Sequence, residues 1–166
     1  MNPTQILTEV RAGQVPAPLV DAGRDGVLET FGSFLGEELS CSGEVAEPTR
    51  CDGIVATISF VGTLNWSITL GFPRECAVAL SERFAGFEFE FDGPEMGDVI
   101  GEIANVLAGD VSARAEACGV HSQMTLPSVT RGRLEMMLPV GMLSKKIAFE
   151  SSFGAFWLRV VAAIGK

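Results

Sequence analysis

The chain has 166 residues, the length of one domain, and 47% of them are apolar, enough to bury a core. Its 21 acidic residues outnumber 12 basic ones, for a formal charge of −9. No basic cluster offsets that charge, so neither nucleic acid nor an anionic membrane surface is an expected partner.

In chain order, "MNPTQILTEVRAG" has neither the basic start nor the apolar core of a signal peptide. The first long helix is predicted over 19–35, with Val27, Leu28, Phe31, Phe34 and Leu35 on one face and Gly36 as its stop. Two strands follow, 54–61 and 64–72, joined by a tight turn around Gly62. A short helix is expected at roughly 74–85. "FEFEF" (87–91) alternates strictly, as an edge strand or a loop whose phenylalanines fill the core, or as a docking patch. The second long helix is expected at about 95–117, and further strands near 133–139, 145–151 and 155–163. The apolar "FGAFWLRVVAAIG" is too short to span a bilayer and contains Arg159. With no linker in sight, one domain is expected over 1–166.

The chain reads as if written twice. Asp25, Glu29 and Gly36 match Asp98, Glu102 and Gly109 at an offset of 73 (98−25, 109−36). Pro48, Gly53, Val61, Gly62, Leu64 and Ile68 match Pro127, Gly132, Val140, Gly141, Leu143 and Ile147 at an offset of 79 (127−48, 147−68). One six-residue insertion reconciles the two offsets. The expected fold is therefore α/β of the α+β type: a mainly antiparallel sheet with long helices on one face, built from two duplicated helix–strand–strand halves.

Few chemistries survive inspection. Cys41, Cys51, Cys76 and Cys118 form no C-x-x-C pair, and His121 is the sole imidazole, so a metal site or nucleophilic triad has no ligand set. His121 reads as a solvated or hydrogen-bonded loop residue, and Met136, Met137 and Met142 as core filler. Reduced thiols point to the cytoplasm. No phosphate-cradling glycine loop is present. What remains is "GDVIGEIANVLAGD", residues 97–110. At about 100° per residue, Val99, Ile100, Ile103, Val106 and Leu107 share one helix face, and Asp98, Glu102, Asn105 and Gly109 the opposite one. Glu102 and Asn105 stand one turn apart, so both reach one spot on a docked partner. As a bare pattern E-x-x-N is weak, and a solvated helix face accounts for it. A carboxamide nevertheless presents a donor and an acceptor in one plane, enough to hold a water in line with a phosphorus atom. A glutamate can pair with a partner's lysine and fix the docking register. The first helix has Gly32 where the second has Asn105.

The run "GDVIGEIANVLAGDVSARAE", with "GTLNWSITLGFP" before it and "LPSVTRG" after it, resembles the CheX branch of the CheC/CheX/FliY chemotaxis phosphatases, over about residues 20–163. Its most specific marks are D-x-x-x-E-x-x-N-x-x-x-G at 98–109 and Leu126-Pro127. The resemblance implies a hydrolase that removes the aspartyl phosphate of a CheY-like response regulator. It implies that Asn105 orients the attacking water and Glu102 contacts the regulator's lysine. It also implies that the chain has no cofactor of its own, the Mg²⁺ residing in the phosphorylated partner, and that it forms a homodimer. Gly32 places the chain with the single-site branch. The alternative is a non-catalytic adaptor binding a receiver domain or a sister subunit.

Overall fold

The computed structural model describes residues 3–46 and 49–163. The described elements are α1 (Pro3–Arg11), α2 (Ala17–Leu35), β1 (Ser40–Val45), β2 (Thr49–Gly62), β3 (Trp66–Pro73), α3 (Arg74–Ala85), α4 (Pro94–Ala117), β4 (Ser122–Met124), β5 (Ser128–Met136), β6 (Met142–Ser151) and β7 (Gly154–Ala163).

Local chemistry sets the helix limits. Gly36 caps α2 at φ 63°, a left-handed conformation that favours glycine, and Gly86 ends α3 in the same way. Pro94 opens α4 at a position where its missing N–H costs no hydrogen bond. Gly109, the counterpart of Gly36, does not stop α4. Val111 and Ala115 beyond it are fully buried, so packing carries the helix two turns further.

The strands form one antiparallel sheet in the order β1-β6-β7-β3-β2, with β4 and β5 both pairing with β2 along its outer edge. α2 packs on β7, α3 on β2, β3 and β7, and α4 on β2, β4 and β5. Ile58, Phe60, Ile68, Leu70, Leu158 and Val160 meet the helices from the sheet. Phe156 stacks on Phe31, Phe149 and Phe153 at 5.2, 5.2 and 5.6 Å between centroids. Each such aromatic pair adds about 0.5–1.5 kcal/mol beyond the area it buries.

Strand pairing keeps the duplication and corrects its strand register. In each half a helix leads to an outer strand and then a hairpin: α2, β1, β2–β3, and α4, β4/β5, β6–β7. The pairings exchange under a two-fold relation. β1 pairs with the second half's β6, β4/β5 pair with the first half's β2, and β3 and β7 pair with each other at the centre. β2 therefore corresponds to β6 and β3 to β7. The offset of 79 instead set β2 against β5 and β3 against β6; Gly53 and Gly132 are in fact cross-strand partners. Turn glycines and strand isoleucines recur often enough to imitate a repeat. Pro48, one of the six positions, lies outside the described residues.

Other expectations shift. Phe34, in the last turn of α2, is 58% exposed instead of core-facing, and its ring stacks on Phe84 at 5.6 Å. β5 begins at Ser128, five residues before the expected strand, since "SVTRG" carries no apolar alternation on an edge. Met137 (83% exposed) and Met142 lie in and beside the β5–β6 connection instead of filling the core. α1, β1 and β4 had no sequence signal. Residues 87–91 form no strand; Phe91 is buried, Phe89 half-buried and Phe87 exposed.

Candidate functional site

α4 supplies the frame. Its apolar residues Met96, Ile100, Ile103, Leu107 and Val111 are buried, while Asp98, Glu102 and Gly109 on the opposite face are exposed and Asn105 is half-buried. Val99 and Val106, at the margin of the stripe, are half-buried. The segment ahead of the helix is anchored by Arg131 of β5, whose Nη1 donates to the carbonyls of Phe91 (2.6 Å) and Gly93 (2.8 Å). The helix start is therefore fixed against the sheet edge rather than left to a loose loop.

Across from this face lies the break between β4 and β5. Asp98, Glu102 and Asn105 line one side of a groove of about 570 Å³, and Leu126, Pro127 and Val129 the other. Thr125 clamps the break. Its N–H donates to the Ser59 carbonyl (2.9 Å), and its hydroxyl accepts from the Ser59 N–H (3.2 Å). Next to that clamp Leu126 stands 86% exposed. The Thr125 hydroxyl donates to the Leu126 carbonyl (3.0 Å), so the leucine is tied to the clamp at the rim of the groove. Neither the sequence pattern nor the helical wheel marked Leu126 as exposed.

The floor of the groove is glycine. Gly97 and Gly101 sit one turn apart, and a Cβ on Gly97 would meet nothing within 4 Å. Glycine inside a helix costs roughly 0.5–1 kcal/mol relative to alanine, so steric need inside the chain does not explain Gly97. Glu102 and Asn105 make no ion pair or side-chain hydrogen bond among the described residues, so their polar atoms face the groove uncommitted. The corresponding first-helix position is different: Glu29 is bound by Arg114, and Gly32 offers no side chain.

The other polar residues behave as ordinary structure. His121 is exposed, with Nδ1 3.4 Å from Glu116 Oε1. Among the described residues no group of three or more His, Cys, Asp or Glu is placed to hold a metal ion. No described helix is long and apolar enough to cross a membrane.

Residues 54–149, more than half of the chain, match the family model described as chemotaxis phosphatase CheX. The chain belongs to the CheX family. The matched span contains all of α4 and the β4–β5 break. A CheX-family relative from Thermotoga maritima, named CheY-P phosphatase CheX, is 28% identical over 121 residues, covering 70% of this chain and 77% of its own. Among solved structures, the chemotaxis protein CheX of Desulfovibrio desulfuricans superposes with a TM-score of 0.77 at 18% identity, over 87% of this chain and 98% of its own. The CheX of Borrelia burgdorferi, solved as a complex with CheY, BeF₃ and Mg²⁺, gives 0.69 at 19%, over 88% and 94%. At such identities the likeness carries the fold.

Proposed function

We propose that this protein is a protein-aspartyl-phosphate phosphatase acting in the cytoplasm on a phosphorylated CheY-like receiver domain. The observation that carries the reading is the uncommitted Glu102–Asn105 pair, one turn apart over a glycine floor. The name of the Thermotoga maritima relative and the CheY-bound Borrelia burgdorferi structure support it. In the reaction, water adds to phosphorus while the bond from phosphorus to the aspartyl oxygen breaks, leaving the carboxylate and inorganic phosphate. Asn105 accepts a hydrogen bond from the water through its carbonyl and donates through its NH₂, setting the in-line angle. Glu102 meets the receiver's lysine and fixes the docked register. Mg²⁺ belongs to the receiver and offsets phosphoryl charge there.

The protein also forms a homodimer in this reading. β1 and the β4/β5 side are sheet edges, and an edge left bare invites pairing with a second chain. The decisive experiment mixes the protein with phosphorylated receiver domains and follows phosphate release. Acceleration supports the enzyme; tight binding without acceleration establishes a non-catalytic adaptor instead.

A further inference from the structure

A second groove, sharing no lining residue with the first, runs between α3 and the 88–92 segment and encloses about 560 Å³. We propose that it docks a polypeptide segment that combines basic and apolar side chains. Its floor is apolar: Val78 and Ala79 from the half-buried side of α3, and Phe89 from the loop. Around that floor stand Glu75, Glu82, Glu88 and Glu90. None of the four forms an ion pair among the described residues, whereas Asp92 is already bound by Arg74 at 3.0 Å. Four unneutralised carboxylates around an apolar surface repel one another and any acidic partner, and they favour Lys and Arg. The apolar floor asks for more than charge.

The loop wall is built to hold its shape. Arg74 lies over the Phe91 ring at 4.1 Å, and Arg131 binds the carbonyls of Phe91 and Gly93. At the lip, Phe87 is 59% exposed and packs against Phe89 at 4.5 Å between centroids. Residues 87–89 pair with no strand, so an extended ligand finds free backbone groups beside the groove. The strict Phe–Glu alternation of the sequence thus becomes a surface that offers aromatic and carboxylate groups together.

The test uses fluorescence anisotropy with a labelled eight-residue peptide alternating lysine and leucine. A lysine–serine peptide of equal charge and a glutamate–leucine peptide serve as controls. Saturable binding of the lysine–leucine peptide is expected. It should weaken at least about tenfold in a Glu82→Lys/Glu88→Lys variant, and stay within about twofold in a Glu38→Lys/Glu116→Lys variant of the same net charge. All four glutamates are exposed, so both variants should fold, which circular dichroism checks. Phe87→Ala and Phe89→Ala should also weaken binding. The proposal is overturned by the absence of saturable binding, by equal losses in the two charge-reversed variants, or by a lysine–serine peptide that binds as well as lysine–leucine.

Discussion

Arg114 of α4 binds Glu29 of α2, and through Nε it also holds Asp110 one turn back on its own helix at 2.8 Å. Glu29 is the first-helix counterpart of Glu102, so the duplication has turned one glutamate into an interhelical tie and left the other open. Hydrogen bonds to Asp110 and then Glu29 raise the Arg114 pKa further, so its charge is constant at any working pH.

Glu29→Ala should leave receiver dephosphorylation near wild type. Glu29 is 67% exposed, and such pairs contribute about 0–1 kcal/mol. Arg114→Ala, which frees two carboxylates, should cost about 1 kcal/mol in urea denaturation. A large activity loss in Glu29→Ala with intact folding would mean that the first helix also acts.

Asn105→Ala should remove most of the acceleration, roughly 10²–10³-fold, while leaving receiver binding largely intact, because the amide is needed in the transition state. Glu102→Ala should weaken binding and rate together, with a salt-dependent defect. Steady-state kinetics at two ionic strengths separate the pair. Wild-type rates in Asn105→Ala would refute its role, and unfolding of either variant would make the residue structural.

Leu126→Ala should raise KM several-fold with little change in kcat, since the side chain lies on the groove wall opposite the proposed chemistry. Leu126→Met should restore most of the loss. A fall in kcat alone would show that Leu126 affects chemistry instead of docking.

Burial pushes the Cys76 thiol up to about 12 and raises that of Cys51 as well. Well below pH 9 both thiols are protonated in the folded and the unfolded chain alike. As pH rises from about 9 towards 12, the unfolded chain loses the Cys76 proton and the folded one retains it, so stability falls. Cys76→Ala should flatten that alkaline decline in denaturant titrations. In native protein, iodoacetamide should label exposed Cys41 first and spare Cys51 and Cys76.

The proposed homodimer should appear as twice the chain mass in light scattering at micromolar concentration. A strictly monomeric mass would exclude it.

Much of this was legible in the sequence wherever a residue's own conformational preference decided the outcome. Gly36 ends α2 because its backbone φ suits glycine, and the 3.6-residue period of α4 sorts its faces correctly. The Glu102–Asn105 face emerged from that period alone. Leu126 did not, because its exposure depends on Thr125 gripping Ser59 across the sheet. β1 and β5 were hidden or misplaced for a related reason. Edge strands bury little, so their sequences need not alternate, and only the partner strand defines them.

The exchange of outer strands between halves bears on how the molecule comes apart. β1 finds its neighbour in the second half and β5 in the first, so neither half closes a sheet by itself. Nicking the backbone between Gly86 and Gly93 would yield two fragments, each keeping one hairpin (β2–β3 or β6–β7) and leaving its outer strands without a partner. Mixed, they should zip into one another and regain the native circular dichroism at equimolar ratio. The ancestral repeat survives as a clasp between two pieces that no longer stand alone.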